Sequence, residues 1–201
     1  MQEKIKKREL EWRRQFFHII FGVVIVVLLM YGLIDKHVIF WIIIIGLSLS
    51  YLSTMVKIPI INFLLWKFER DEWAKKFPGK GMIFYLIGAD ISLFLFPKEV
   101  AMASIMVLAF GDSVSHIFGL HYGKIKHPLS DKKFLEGTIA GFVMGFIGAF
   151  VFLRWYEALL ASLIAMTAEA IEMKIGASQV DDNLVIPVIA GAVVWVIRWI
   201  I

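Results

Sequence analysis

The chain has 201 residues, 60% of them hydrophobic, and a formal net charge of +4. Soluble domains carry ~45–50% apolar residues even with glycine counted, so this composition describes a multi-pass membrane protein. There is no cysteine, which excludes disulfides, cysteine-ligated zinc, iron–sulfur clusters and thiol nucleophiles; basic loops on one membrane face account for the charge without a nucleic-acid partner.

Residues 1–14 are polar and basic, and an apolar run follows from about Phe16 to Ile34. Its length, and the lack of a small-residue cleavage site, make it a retained first span rather than a signal peptide. A turn at Asp35-Lys36-His37 leads to a second span, about Val38–Met55. Residues 57–81 alternate apolar stretches with Trp73, Lys75 and Lys76, the pattern of an interfacial amphipathic helix, closed by Pro78-Gly79-Lys80-Gly81. A short third span, about Met82–Phe96, carries Asp90. The fourth, about Val100–Leu120, contains Asp112 and His116. The loop 121–135 follows, then a fifth span, about Gly137–Leu153, whose Gly137, Gly141, Gly145 and Gly148 form a ridge for close helix packing. The sixth span is about Glu157–Ile171 with Glu169 near its end. A loop with Glu172, Asp181, Asp182 and Asn183 precedes the seventh, about Leu184–Ile201. The expectation is an all-α, single-domain bundle of seven spans, each near the ~20 residues that cross a bilayer, plus one interfacial helix. Trp12, Trp66, Trp73 and Trp155 read as interface anchors.

Seventeen of the 21 lysines and arginines fall in segments 1–14, 57–81, 121–135 and 172–183, and four fall on the opposite side. The positive-inside rule then places the N-terminus in the cytosol and the C-terminus outside. The odd-numbered spans start on the cytosolic face, where their helix N-termini offer free N–H groups and positive dipole ends to anions.

The chain is organised around residues 111–138, in which a carboxylate in an apolar run is joined by one short basic loop to Lys132, Lys133, Glu136, Gly137 and Thr138. A carboxylate at membrane depth is a functional-site hypothesis by default, and beside lysines it points to a metal ion and phosphates. Asp112 and His116 are four apart and share a helix face. They form either a buried polar pair or a Mg²⁺ ligand with a polar neighbour, since carboxylates suit that hard cation. Lys132 and Lys133 are cytosolic anchors or phosphate ligands, and Arg13 and Arg14 are explained by topology alone. Asp182 caps the last helix or joins the site. Glu169 lies about a turn inside its span, where an unpaired charge is costly. The near-match to a phosphate-binding loop at Gly119–Lys124 is one residue short and lacks its Ser/Thr, and no H-E-x-x-H zinc motif is present.

Four stretches in order resemble one known family, the integral membrane CTP-dependent lipid kinases: dolichol kinase, phytol and farnesol kinase, and the yeast-type diacylglycerol kinase. They are Glu11, Arg14 and His18 with Gly22; Pro78-Gly79-Lys80-Gly81 with Tyr85 and Gly88; Gly111-Asp112 followed by Gly119, Gly123, Lys133 and Glu136-Gly137-Thr138; and Asp182-Asn183-Leu184 with Pro187, Glu169 standing upstream. The family is related to the phosphatidate cytidylyltransferases, whose longer closing motif is absent here.

The resemblance implies transfer of the γ-phosphate of CTP to the hydroxyl of an isoprenoid alcohol, of polyprenol or dolichol type, at the cytosolic face of a cell or endoplasmic reticulum membrane. Asp112 and Asp182 are the expected Mg²⁺ ligands. Asp112, Glu136, Glu169 and Asp182 are the candidate catalytic residues. Lys132, Lys133, Lys80, Arg14, Gly137, Thr138 and Asn183 are the candidate nucleotide and phosphate contacts. Two other functions compete: cytidylyl transfer to a phosphorylated lipid, giving a CDP-lipid, and a small-ion or solute transporter with Asp90, Asp112 and Glu169 as a relay.

Overall fold

Long apolar runs, punctuated by Gly32, Pro59, Gly79 and Pro97, fold into helices that stop at those punctuation points. A computed structural model describes residues 2–56, 58–69, 71–171, 174–175 and 178–201. Lys57, Arg70 and Glu172, counted above among the loop charges, lie outside the described residues, as does the side chain of Trp66. The helices are α1 (Gln2–Met30), α2 (Lys36–Met55), α3 (Pro59–Phe68), α4 (Asp71–Lys76), α5 (Lys80–Leu95), α6 (Lys98–Met106), α7 (Ser113–Tyr122), α8 (Leu135–Phe150), α9 (Trp155–Ile171) and α10 (Asp182–Ile200). A π-helical segment, Val107–Asp112, joins α6 to α7. Two-residue strands, Lys174–Ile175 and Ser178–Gln179, pair antiparallel between α9 and α10.

Gly32 takes the left-handed conformation (φ +67°) that ends α1. The Asp35 side chain then caps α2 by accepting from Val38 N at 2.9 Å. The helix α6–π–α7 is the central rod: 72% of its most apolar stretch is buried, against 17% for the peripheral α2. Around it Tyr85, Ile105, Leu108, Met166 and Ile186 are fully enclosed.

The glycine ridge of α8 packs as its spacing predicts. A Cβ on Gly137 would meet the Ser115 carbonyl at 2.6 Å, one on Gly141 the Gly111 carbonyl at 2.6 Å, and one on Gly145 the Ser162 hydroxyl at 2.5 Å. In lipid, where apolar side chains gain little by leaving their surroundings, such backbone-to-backbone approach is a main source of helix association.

Two expectations are revised. Among the described residues four helices are long and apolar enough to cross a membrane: Arg8–Met30, Lys36–Met55, Lys98–Tyr122 and Asp182–Ile200. α5, α8 and α9, of 16, 16 and 17 residues, reach only about 24–26 Å at ~1.5 Å per residue, short of the ~30 Å hydrocarbon core. The single interfacial helix is instead two short ones, α3 and α4, because Glu69 is extended (φ −105°, ψ 150°) and ends α3. Phe68 holds α3 to the bundle by stacking on Phe17, with ring centroids 4.6 Å apart.

Candidate functional site

The site is assembled at the end of the bundle where α5, α8 and α10 begin and α7 ends. The π segment places its first acid. A π turn holds one more residue than an α turn, so the helix face is reset where Gly111 meets Gly141 and Gly145 of α8. Asp112, the last residue of that turn, lines a cleft of about 1040 Å³.

After Tyr122 the chain makes a compact loop. Lys126 and Phe134 form a β-bridge, His127 N donates to Lys133 O at 3.0 Å, and Leu135 N donates to Ile125 O at 2.9 Å. The Ser130 hydroxyl accepts from the backbone N–H groups of Lys132 and Lys133 at 3.2 Å each. The fold of this loop aims Lys133 inward. Its ammonium donates to Glu169 Oε1 at 2.5 Å, to the Glu169 carbonyl at 2.7 Å and to Asp182 Oδ2 at 3.1 Å. A lysine has three N–H donors, and all three are used. Burial works against the charged ammonium, but the carboxylates of Glu169 and Asp182 outweigh it and hold the Lys133 pKa above the ordinary lysine value.

Asp112, Glu169 and Asp182 bring carboxylate oxygens within 4.8 Å of one another. Three helices, far apart in sequence, thus converge on one point with three carboxylates, and one ammonium bridges two of them. Glu169 is buried, whereas Asp112 and Asp182 are half-buried and face the cleft. Hard oxygen donors at this spacing fit a divalent cation such as Mg²⁺.

Of the other predicted residues, Arg14, Lys80, Lys132 and Asn183 line the cleft. Arg14 is paired with Glu11 at 2.9 Å, and the same glutamate is 3.1 Å from His116 Nε2, so His116 reaches across to α1 rather than pairing with Asp112 alone. Lys80 is 3.3 Å from Asp181 Oδ2 and lies over the Trp73 ring, 4.0 Å from its centroid. Trp73, expected as an interface anchor, is therefore part of the cleft wall.

Glu136, Gly137 and Thr138 are not among the residues lining the cleft. The Glu136 carboxylate turns back and accepts from the backbone N–H groups of Lys124 and Ile125 at 3.1 Å each. Its own N–H and those two amides hold its pKa below the ordinary glutamate value. The Glu136 carboxylate thus ties the start of α8 to the loop backbone. Gly137 serves the α7–α8 contact, and Thr138 Oγ1 donates to Phe134 O within its own helix at 3.5 Å. The cap of α10 is Asp181, which accepts from Asn183 N at 3.2 Å. That leaves Asp182 for the cluster. Asp90 is buried on α5 and does not line the cleft. Gln15 carried no assigned role in the sequence; the available signal was an amide one turn before His18 where the apolar run begins.

The chain is similar to proteins of both known and unknown activity. It is 32% identical over 185 residues to an uncharacterized protein of Methanocaldococcus jannaschii, covering 90% of this chain and 91% of that one. It is 28% identical to the CTP-dependent diacylglycerol kinase 1 of Schizosaccharomyces pombe, over 69% of this chain and 66% of the yeast protein. It is 27% identical to the chloroplastic phytol kinase 1 of Arabidopsis thaliana, over 54% of this chain and 40% of the plant protein. No protein-family model matches the chain, and no solved structure matches it significantly.

Proposed function

The chain belongs to the family of CTP-dependent membrane lipid kinases, and from that premise we propose that it transfers the γ-phosphate of CTP to the hydroxyl of a membrane isoprenoid alcohol of polyprenol or dolichol type. The observation that carries the proposal is the cluster of Asp112, Glu169 and Asp182 around Lys133 at the floor of the cleft. Relatives named for diacylglycerol and phytol support a lipid alcohol as acceptor. Phytol is itself an isoprenoid alcohol, which favours that substrate class; diacylglycerol is the second reading.

Phosphoryl transfer asks a protein for positioning and charge neutralisation more than for covalent chemistry. Asp112 and Asp182, the two half-buried acids of the cluster, would hold Mg²⁺. The ion would supply neutralisation of the triphosphate. Glu169 is nearly enclosed, and with Lys133 it fixes the direction of the Asp182 carboxylate. Lys132, Lys80 and Arg14, on the cleft walls, would draw the phosphates in. In the reaction the bond between the γ-phosphorus and the β–γ bridging oxygen breaks. A bond from the lipid oxygen to that phosphorus forms, the hydroxyl proton passes to water in the cleft, and CDP leaves. The lipid enters sideways between helices, and the N-terminus faces the cytosol.

The test is turnover by the purified protein in lipid nanodiscs, with Mg²⁺, labelled CTP or ATP, and a panel of polyprenol, phytol and diacylglycerol. A lipid monophosphate with CDP is expected, and polyprenol is expected to give the highest kcat/KM. A CDP-lipid with pyrophosphate, or no transfer to any alcohol, would overturn the kinase reading. A strict preference for diacylglycerol would overturn only the substrate class.

A further inference from the structure

The Asn183 side chain is held in one orientation. It lies in the first turn of α10 and is 9% exposed. Its Nδ2 donates to Asp181 Oδ1 at 2.9 Å and to the Gly81 carbonyl at 3.4 Å. A carboxylate and a carbonyl are acceptors only, so turning the amide over would set its oxygen against two others. Oδ1 is therefore locked as an acceptor, and among the described residues it has no hydrogen-bond partner. Gln15, 4% exposed on α1, has a second amide oxygen without a hydrogen-bond partner among the described residues. Both residues line the cleft, and so does Gly81, whose missing side chain leaves open space toward His18: a Cβ there would come no nearer than 3.7 Å to the imidazole.

Buried acceptors without partners call for N–H or O–H donors on whatever fills the cleft. Triphosphate oxygens are acceptors and do not meet that need. The donors among the substrates of a CTP-dependent lipid kinase are the lipid hydroxyl, the two ribose hydroxyls and the exocyclic amine of cytosine. Each hydroxyl has one hydrogen, whereas the amine has two on one nitrogen. Of these donors only the amine differs between CTP and UTP, since uracil presents a carbonyl oxygen at the same place.

We infer that Asn183, together with Gln15, reads the exocyclic amine of the nucleobase and thereby selects CTP over UTP. The inference rests on the kinase reading above and assigns the base specificity of that site. The locked amide matters most. A freely rotating amide would turn its NH₂ toward uracil and lose selectivity, whereas Asn183 is prevented from turning by Asp181 and Gly81. A site that must hydrogen-bond a group rejects analogues that lack it, because its own buried atoms are left unpaired.

The experiment measures kcat/KM for CTP and UTP, and nucleotide dissociation constants without lipid alcohol, in the wild type, Gln15→Met and Asn183→Leu. KM for the lipid alcohol and for Mg²⁺ is measured alongside. The wild type is expected to favour CTP over UTP by at least about a hundredfold. Each variant is expected to reduce that ratio by about tenfold or more, in binding as well as in turnover. A ratio unchanged in both variants overturns the inference. So does a change confined to the lipid KM, which would assign the acceptors to the lipid hydroxyl, or one confined to the Mg²⁺ requirement, which would assign them to the metal. If Asn183→Leu does not fold, Gln15→Met decides alone. A wild type that turns over no nucleotide with any alcohol refutes the kinase reading itself, whereas CTP turnover with an unmoved ratio refutes only the base-reading role.

Discussion

Two ion clusters sit at opposite ends of α10, about 24 Å apart at ~1.5 Å per residue, and they differ in what they can do. At the far end Arg198 donates to Glu157 Oε1 at 2.7 Å, to Glu157 Oε2 at 3.3 Å and to Glu99 Oε1 at 2.9 Å. Glu157 Oε2 also accepts from Arg154 N at 3.0 Å. One planar, delocalised cation there ties α6, α9 and α10 together with a fork that matches carboxylate geometry. At the cleft end one lysine bridges Glu169 of α9 and Asp182 of α10, with a third carboxylate, Asp112 of the π segment, beside them. The lysine is a compact charge on a flexible stem, and the acids it serves outnumber it. The first arrangement closes on itself and works as a staple. The second keeps an excess of negative charge next to open space, which is what a site for a further cation requires.

The comparison breaks most sharply at its two cations. Lys133→Met leaves three carboxylates close together without their ammonium. The expected result is loss of turnover and destabilisation by roughly 3–5 kcal/mol, the scale for stranding buried charges. Mg²⁺ should recover part of that loss. A melting temperature measured with and without Mg²⁺ checks this, and a loss that Mg²⁺ leaves unmoved would place the lysine in a staple like the other.

Asp112→Asn keeps size and hydrogen-bonding capacity and removes one charge. Turnover should fall by about 10²–10³, the loss typical when a group that stabilises transition-state charge is removed. The metal-free protein should melt no lower than wild type, because one buried charge is gone. Near wild-type turnover would return Asp112 to a packing role. Arg198→Met should do the reverse. It should lower stability by about 2–3 kcal/mol, less than a fully enclosed pair costs to break, because the arginine side chain is 36% exposed. Turnover per folded molecule should hold, and Mg²⁺ should not restore the melting temperature. A kinetic effect as large as that of Asp112→Asn would mean that the two ends communicate.

The helical class, the glycine ridge and the residues that meet at the cleft were legible because each rests on a periodic or ordered signal: apolar runs, small residues at helical spacing, motifs in sequence. What was not legible depends on tertiary register. Nothing local marks Val107–Asp112 for π geometry; it arises where Gly111 meets α8. Asp181 and Asp182 are adjacent and chemically identical, so only the extended conformation at residue 181 (φ −72°, ψ 128°) decides that it caps while its neighbour enters the cluster. Gly137 was read both as a packing residue, which its close approach to α7 bears out, and as a phosphate contact, since a glycine beside an acidic helix start serves either purpose in sequence. The span count exceeded the four helices long enough to cross because charge placement marks turns without measuring length.

The smallest expected effect concerns Glu136, and it separates loop shaping from catalysis. Its carboxylate reaches back eleven and twelve residues to the amides of Ile125 and Lys124, so its acceptors hold the loop that presents Lys133. Because the pKa is depressed, that hold is complete at neutral pH and is lost only as pH falls below the ordinary glutamate range. Glu136→Gln reproduces the uncharged form at every pH while keeping one acceptor oxygen for the loop. If the residue only shapes the loop, kcat should fall by less than about tenfold, the scale of weakening one or two hydrogen bonds, and the KM for CTP should rise by a similar factor as Lys133 and Lys132 lose their fixed positions. If Glu136 were a catalytic acid, kcat would fall as far as it does in Asp112→Asn with KM unmoved. Measuring both constants for the two variants side by side decides between a residue that holds the loop and one that works in the cleft.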